Sequence, residues 1–259
     1  MRSSMNKSVL TKMKKQKTNE SYSLIPKTGD FLSGPQSRIN QLVTAIDIFK
    51  EFIKGFRALH FVGPCITVFG SARFDEMHPY YQQARTLGRL LAQSGFTVLT
   101  GGGPGIMEAA NRGAFESGGR SVGCNIVLPQ EQKHNPYMHK WVTIKYFFVR
   151  KVLLTKYSYG FIVMPGGVGT MDEFFETLTL IQTKTIKNFP LVVIGKEYYT
   201  DILELMTKMQ LNKAISPEDL ELVLFTDDVQ EATDHIKKYI KENYSYKKVK
   251  PRKFLNEKT

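Results

Sequence analysis

From Cys65 onwards the chain repeats one pattern: a short apolar run, a loop, and a stretch with apolar residues at helical spacing. The first repeat consists of the run CITVF at Cys65–Phe69, the loop Gly70–Arg73 and an amphipathic stretch that Gly95 ends. Runs that are apolar throughout are typical of strands buried on both faces, as in parallel sheets. Parallel strands need crossover connections, which are usually helical. The pattern predicts an α/β fold with a doubly wound, mostly parallel, Rossmann-like sheet and helices on both faces.

The chain divides into three predicted parts. Residues 1–37 form a basic, polar N-terminal tail, residues 38–240 form one Rossmann-like domain, and residues 241–259 form a basic C-terminal tail. The domain starts with an N-terminal helical extension, because apolar residues recur at helical spacing between Ile39 and Leu59. Neither a linker nor an internal repeat divides the domain.

The formal charge of +12 is concentrated at the two ends of the chain. Residues 1–38 hold eight Lys/Arg against two Asp/Glu, and residues 236–259 hold nine against two, which leaves −1 for residues 39–235. A nucleic-acid-binding domain normally carries its positive charge on a folded surface. The distribution therefore favours solvated tails over a nucleic-acid partner.

Other global features predict a cytoplasmic protein without a membrane partner. No apolar stretch approaches the ~20 residues that span a bilayer, and the basic N-terminus lacks the apolar run of a signal peptide. The two cysteines, Cys65 and Cys124, are too few for a disulfide framework and lie in apolar runs. The five histidines include no HExxH, so we expect no metal and no other cofactor.

Glycine-rich loops follow three of the predicted strands. They are Gly70-Ser71-Ala72-Arg73, Gly101–Gly105 and the segment Pro165–Thr170. In an open parallel sheet, ligands bind where the carboxyl ends of strands enter helices. Glycines there let backbone N–H groups approach an anion at a helix N-terminus. Tight strand-to-helix turns alone would also need glycine, but several such loops at one sheet edge favour a shared phosphate site.

Two common phosphate-binding patterns do not fit. A P-loop requires Lys-Ser/Thr after its last glycine, whereas Gly169 is followed by Thr170 and Met171. The dinucleotide fingerprint places its third glycine where Ile106 stands. The third predicted strand ends in Asn125-Ile126-Val127-Leu128, without the acidic residue that would bind a ribose hydroxyl. An NTPase and an NAD-dependent dehydrogenase are therefore both disfavoured.

Charged residues lie close to the last of these loops. Glu173 and Glu176 are one turn apart, so we expect them to share a face of the helix that Gly169-Thr170 opens, with Glu173 on its first turn. Arg150-Lys151 lies near the same sheet edge, at the start of the preceding helix. A carboxylate at a helix start is often a dipole partner, and a cation is often a surface charge. Their position beside the predicted phosphate loop favours contact with a ligand.

The segment Pro165–Glu173, PGGVGTMDE, resembles the PGGxGTxxE signature of the LOG ("lonely guy") family. Members of this family are cytokinin riboside 5′-monophosphate phosphoribohydrolases. Upstream, Arg150-Lys151 is similar to the family's Arg-Lys pair, and both Gly101–Glu108 and Gly70-Ser71 resemble its earlier loops. The resemblance covers roughly residues 60–240. Departures are the N-terminal extension, the basic C-terminal tail and the second-loop sequence PGIME at Pro104–Glu108.

The resemblance implies hydrolysis of the N-glycosidic bond of a nucleoside 5′-monophosphate, AMP or a cytokinin ribotide, to free base and ribose 5-phosphate. It implies that Arg150 and Glu173 are the catalytic pair. It also implies a homodimer or a higher homo-oligomer. The residues that it implies for binding phosphate or substrate are Gly70, Ser71, Gly102, Gly103, Glu108, Lys151, Pro165, Gly166, Gly167, Gly169 and Thr170.

The residues themselves are compatible with this chemistry. Glycosidic cleavage passes through an oxocarbenium-like state, which the carboxylate of Glu173 can stabilise directly or by polarising water. Arg150 can stabilise charge on the departing base or orient the phosphate, and the sequence leaves both roles open. The alternative function is a carrier on the same fold that binds a nucleotide or the molybdenum cofactor without turnover. Lysine decarboxylation is disfavoured, because no Schiff-base lysine motif is present.

Overall fold

The computed structural model describes residues 32, 34–128, 134–187 and 189–244. Residues 1–31 of the predicted N-terminal tail and residues 245–259 of the predicted C-terminal tail lie outside the described residues. Within those ranges, no helix is long and apolar enough to cross a bilayer.

Seven strands form one sheet in the order β4-β3-β2-β1-β5-β6-β7. All neighbouring strands are parallel, which confirms the predicted α/β, doubly wound fold. The strands are β1 (Cys65–Phe69), β2 (Thr97–Thr100), β3 (Ser121–Ile126), β4 (Lys140–Ile144), β5 (Ser158–Val163), β6 (Leu191–Ile194) and β7 (Val223–Thr226).

Seven α-helices of the described chain cover the sheet. They are α1 (Arg38–Leu59), α2 (Pro79–Gln93), α3 (Ile106–Glu116), α4 (Phe147–Tyr157), α5 (Val168–Gln182), α6 (Thr200–Leu211) and α7 (Val229–Asn243), with a 3₁₀ turn at Pro217–Leu222. One apolar core joins the sheet to α1, α4, α5 and α6, and a second joins the opposite face to α2, α3 and α7. The last helix extends three residues past the predicted domain end at residue 240.

The boundary between β4 and α4 differs from the prediction. The apolar run Trp141–Phe148 predicts a strand, but the strand ends at Ile144 and α4 starts at Phe147. Helix α1 accounts for the early end. The carboxylate of Glu51 accepts the backbone N–H of Lys145 at 2.8 Å, and Asp47 accepts the hydroxyl of Tyr146 at 3.2 Å. These contacts come from a distant part of the chain, so local periodicity does not reveal them.

The sheet has its topological switch between β1 and β5. The chain proceeds from β1 through β2 and β3 to β4, and then returns to the other side of β1 as β5. In folds of this kind, ligands bind outside the carboxyl ends of the strands at the switch point. The glycine-rich loops after β1 and β5 therefore meet where a ligand is expected.

Candidate functional site

Backbone hydrogen bonds join the three glycine-rich loops. The N–H of Ser71, in the loop after β1, donates to the carbonyl of Pro165, in the loop after β5, at 2.9 Å. The carbonyl of Ser71 accepts the N–H of Ile106, which opens α3 after the second loop, also at 2.9 Å. A Cβ on Gly105 would lie 2.3 Å from the same Ser71 carbonyl, and Gly105 has a φ of +70°. The sequence expectation that the loops share one sheet edge is therefore met by direct contact.

The loop after β5 presents a row of backbone N–H groups. Helix α5 starts at Val168, and Gly167 is its N-cap residue. Within the described chain, the N–H groups of Gly167, Val168 and Gly169 have no hydrogen-bond acceptor, and all three residues are exposed. A Cβ on Gly167 or Gly169 would meet no atom within 4 Å, so both face open space. Unpaired N–H groups at a helix N-terminus form an anion site.

The side chains of Thr170 and Tyr198 support this loop. Thr170 is 7% exposed, and its Oγ1 would lie 2.2 Å from a Cβ on Gly166. The hydroxyl of Tyr198 donates to the carbonyl of Gly166 at 2.9 Å. Together they hold the backbone of Gly166 in place, while Pro165 is buried beneath it. Sequence reasoning missed Tyr198, which follows the next strand, β6.

Glu173 is the sixth residue of α5, on its second turn, because the helix starts at Val168 rather than Gly169 as expected. It is 6% exposed, and no donor in the described chain hydrogen bonds to its carboxylate. Burial raises the pKa of Glu173 to about 7, although the positive charges of Arg150 and Lys151 lower it. A carboxyl with a pKa near neutrality is suited to proton transfer at physiological pH.

Glu173 and Glu176, which were expected to share a face of the helix, have different surroundings. Lys151 Nζ lies 2.8 Å from Glu176 Oε2 and 3.1 Å from Asp172 Oδ2, so it bridges two carboxylates one turn apart. Glu173 lies between them in sequence but is buried, away from this bridge. The spacing i, i+4 of Asp172 and Glu176 places both beside α4, which carries Lys151. The carboxylates of Asp172 and Glu176 hold Lys151, whose positive charge lowers the pKa of Glu173.

Arg150 lies over the second glycine-rich loop. Its Nε donates to the carbonyl of Cys124 in β3 at 2.9 Å, and its Nη2 would lie 2.1 Å from a Cβ on Gly101. Only a residue without a side chain leaves room for the guanidinium there. The half-buried Arg150 is near enough to Glu173 to lower the pKa of that carboxyl, but no ion pair joins them within the described residues. Both members of the predicted pair therefore lie at the same cleft.

A buried polar network fixes the backbone of the second loop. Asn135 donates its N–H to the carbonyl of Gly102 at 3.0 Å and its Nδ2 to the carbonyl of Gly103 at 3.1 Å. Asn135 Nδ2 also lies 3.1 Å from Asn111 Oδ1, which accepts the hydroxyl of Thr100 at 2.6 Å. These contacts turn both glycine carbonyls away from the cleft. The sequence offered no local signal for Asn135, which approaches from a different crossover.

Three weaker predicted site residues have structural partners. Ser71 Oγ accepts the N–H of Arg73 at 3.1 Å, and a Cβ on Gly70 would meet the side chain of Ile106 at 2.4 Å. Glu108 accepts the hydroxyl of Tyr81 at 3.0 Å, which ties α3 to α2. These residues shape the loops, and none of these contacts places them against a ligand.

Asn125 is a cleft residue that the sequence did not single out. It was noted only because no acidic residue stands at the end of the third strand. It lies at the carboxyl end of β3, is 9% exposed, and its Oδ1 is buried without a partner in the described chain. A Cβ on Gly102, which has a φ of +71°, would lie 1.7 Å from that oxygen. The amide therefore occupies the space above Gly102, next to the guanidinium above Gly101.

Across residues 34–128, 134–187 and 189–244, no three His, Cys, Asp or Glu side chains are gathered so that they could hold a metal ion. Cys65 and Cys124 are buried thiols, and burial raises the pKa of each to about 12.

A family model described as possible lysine decarboxylase matches residues 107–236, half of the chain. That range contains Arg150 and the whole segment from Pro165 to Glu173. A cytokinin riboside 5′-monophosphate phosphoribohydrolase of Rhodococcoides fascians is 31% identical over 175 residues, which cover 64% of this chain and 86% of that protein. The chain belongs to the LOG family.

Two further comparisons place this LOG-family chain among more distant proteins. A pyrimidine/purine nucleotide 5′-monophosphate nucleosidase of Escherichia coli (strain K12) is 24% identical over 226 residues, which cover 81% of this chain and 49% of that protein. The molybdenum cofactor carrier protein of Chlamydomonas reinhardtii superposes with a TM-score of 0.51 at 23% identity, covering 69% of this chain and 99% of that one. The latter likeness shows a common fold alone.

Proposed function

We propose that this LOG-family protein hydrolyses the N-glycosidic bond of a nucleoside 5′-monophosphate, with AMP as the reference substrate, to give free base and ribose 5-phosphate. The observation that carries this proposal is the position of Glu173. Its buried, unpaired carboxylate lies one helical turn beyond the open N–H groups of Gly167–Gly169. Since a phosphate on those N–H groups fixes the attached ribose beside the next turn of α5, the carboxylate faces the sugar.

The phosphate anchors the substrate. The N–H groups of Gly167, Val168 and Gly169 donate to its oxygens, and the positive end of the α5 dipole favours its negative charge. Binding energy from this remote group holds C1′ of the ribose against Glu173. The nearby hydrogen bond between Ser71 and Pro165 keeps the loop from shifting as the substrate enters.

The chemical step then needs a carboxylate and a cation. As the C1′–N bond breaks, its electron pair leaves with the base and the sugar acquires oxocarbenium character, which ionised Glu173 stabilises. Water forms the new C1′–O bond, Glu173 accepts a proton from it, and that proton is passed to the base. Arg150, fixed over Gly101 by the Cys124 carbonyl, donates to the departing base and stabilises its developing negative charge.

The test is product analysis with purified protein and AMP, separating adenine and ribose 5-phosphate by chromatography. We expect equimolar release of both by the wild type, and loss of at least ~100-fold in Glu173→Gln, because the isosteric amide cannot accept the proton. Glu176→Gln, on the same helix but in the Lys151 bridge, is the matched control and retains most activity. Recovery of bound AMP without product would instead support a carrier.

The protein is also proposed to assemble as a homodimer or a higher homo-oligomer. Helix α1 exposes large apolar side chains, among them Leu42, Phe49 and Ile39, the last 75% exposed. On α5, Val168 is 87% exposed beside the phosphate loop. Exposed apolar surface of this extent is typical of subunit contacts. A second copy of this chain is the occupant that the family resemblance implies.

A further inference from the structure

The feature that the proposed mechanism leaves unused is the amide of Asn125. Three asparagines are buried around the second loop, and two of them, Asn111 and Asn135, are fully engaged in hydrogen bonds. The third, Asn125, is also buried, at 9% exposure, yet its Oδ1 has no partner in the described chain. A buried polar atom without a hydrogen bond is destabilising, so such groups commonly serve a ligand.

The geometry places this amide beside Arg150. The two side chains pack over consecutive glycines: the guanidinium of Arg150 lies over Gly101, and the amide of Asn125 lies over Gly102. Arg150 also donates to the carbonyl of Cys124, the residue before Asn125. The two side chains therefore face the same part of the cleft, and both are held by β3 and the loop after β2.

The distance from the phosphate loop decides which part of a nucleotide reaches Asn125. In the sheet order, β3 lies three strand positions from β5, or about 14 Å at the usual strand spacing. The ribose is the part next to the phosphate, beside Glu173. The base is the part farthest from the phosphate, so its edge is the part that approaches β3.

An asparagine amide offers one acceptor and one donor side by side. The Hoogsteen edge of adenine presents the complementary pair, the N6 amino group as donor beside N7 as acceptor. Hypoxanthine has an oxygen in place of the N6 amino group, so at its Hoogsteen edge both neighbouring positions are acceptors. In the structure Oδ1 packs against Gly102, so the amide has to turn about its Cβ–Cγ bond to present both atoms to the base edge.

We propose that Asn125 reads the base edge and selects 6-aminopurine over 6-oxopurine nucleotides. This inference rests on the proposed function, because its kinetic test requires base release. It adds a specificity-determining residue to that site. Met107, whose Sδ would lie 2.7 Å from a Cβ on Gly101, supplies an apolar surface near the same loop.

The experiment compares AMP and IMP, which differ only in the N6 amino group and the adjoining ring proton. We measure kcat/KM for both nucleotides with wild type, Asn125→Asp and Asn125→Ala, and the inhibition constant of ribose 5-phosphate as a probe without a base. We expect the wild type to prefer AMP and the preference to fall by about 10-fold in Asn125→Ala, as for the loss of one bidentate base contact. Asn125→Asp should keep the preference at lower kcat/KM, because its carboxylate still accepts from N6 but repels N7 and a 6-oxo group. The inhibition constant of ribose 5-phosphate should stay within twofold.

Two outcomes overturn the inference. One is an AMP-to-IMP ratio that is unchanged in Asn125→Ala. The other is a matching loss of ribose 5-phosphate inhibition, which would place Asn125 on the sugar. Thermal unfolding separates function from folding: Asn125→Ala removes an unpaired amide and should keep its melting temperature, whereas Asn135→Ala breaks the loop network and should lower it.

The failure of this inference is distinguishable from the failure of the proposed function. If the wild type releases no base from any nucleotide, the hydrolase proposal fails. Calorimetric binding of AMP, IMP and ribose 5-phosphate then replaces the kinetic constants, with the same expected ratios for the Asn125 variants. If base is released but the AMP-to-IMP ratio does not change in Asn125→Ala, only the role of Asn125 is rejected.

Discussion

Ser71 and Pro165 are joined by a backbone hydrogen bond of 2.9 Å that links the loop after β1 to the loop after β5. The bond spans the topological switch of the sheet, where two crossovers of opposite direction leave a cleft. Because it uses backbone atoms, it fixes the loop without occupying side chains. The N–H groups of Gly167–Gly169, which form the proposed phosphate site, are therefore held in position by the fold itself.

Substitution of Glu173 should change stability and activity in opposite directions. Burial raises the pKa of Glu173 to about 7, above the usual glutamate value of 4.5. Between these values the folded state binds more protons than the unfolded state, so this group's contribution to stability falls as pH rises from about 4.5 to 7 and is constant above. Glu173→Gln removes the titrating carboxyl, so at pH 8 the variant avoids a destabilisation on the order of 3 kcal/mol.

Thermal unfolding of wild type and Glu173→Gln at pH 5 and pH 8 checks this. We expect similar melting temperatures at pH 5 and a clearly higher one for the variant at pH 8, while base release is lost at both. An equal difference at the two pH values would show that Glu173 does not carry the shifted titration.

Lys151 should set the pH at which the enzyme becomes active. Its charge lowers the pKa of Glu173, so Lys151→Met should move the midpoint of the kcat/KM profile to higher pH. Activity should rise with pH through about 7 in the wild type, because the ionised carboxylate is the active form. The measurement is base release from pH 5 to pH 9, with Lys156→Met on the same helix as control. A midpoint that stays in place would contradict the coupling.

Two adjacent glycines should respond differently to alanine. A Cβ on Gly166 would lie 2.2 Å from Thr170 Oγ1 and 3.0 Å from the Ser71 nitrogen, whereas a Cβ on Gly167 meets nothing within 4 Å. Gly166→Ala should therefore lower the melting temperature by several degrees, and Gly167→Ala should leave it unchanged. Both are compared by calorimetry without ligand. Equal stability losses would mean that the loop does not pack as described.

Removal of the Glu51 carboxylate should weaken the position of Arg150. Glu51 accepts the N–H of Lys145, two residues before the start of α4, and the carbonyl of Tyr146 accepts the N–H of Arg150 at 3.1 Å. We expect Glu51→Ala to cost about 1–3 kcal/mol of unfolding free energy and to reduce kcat more than it raises KM. Denaturant unfolding and steady-state kinetics measure both, with exposed Lys50→Ala on the same helix as control. A change in stability with an unaltered kcat would limit Glu51 to a structural role.

The exposed apolar face of α1 should hold the proposed assembly together. Phe49 is 64% exposed, and Phe49→Glu places a charge where a second copy is expected to pack. Light scattering after size-exclusion chromatography should show an oligomer for the wild type and a smaller species for the variant. Arg57→Glu, near the end of the same helix, controls for the charge change. A monomeric wild type would refute the assembly proposal.

The sequence predicted the fold and the loops because both depend on local patterns. Buried strands leave continuous apolar runs, and strand-to-helix turns beside an anion site need glycine, as at Gly101–Gly105 and Gly166–Gly169. The positions of Arg150 and Glu173 followed from their places after strands. Their assignment as a catalytic pair stays a prediction until the substitutions are measured.

What the sequence did not predict depends on contacts between distant segments. Glu176 was expected to share a helix face with Glu173, but Lys151 on another helix holds it. Asn125 and Asn135 are ordinary polar residues in sequence, and only their burial beside the second loop distinguishes them. The end of β4 was misplaced because the carboxylates that determine it lie on α1, almost one hundred residues earlier.

Helix α1 connects the N-terminal extension to the cleft. One side of it carries the exposed apolar side chains, and Asp47 and Glu51 hold the entrance to α4, the helix that bears Arg150. We therefore expect a displacement of α1 to shift the start of α4 and, one helical turn later, Arg150. Base-release rates of N-terminal truncations or fusions would show how strongly the cleft depends on the position of α1, even when the sheet itself is intact.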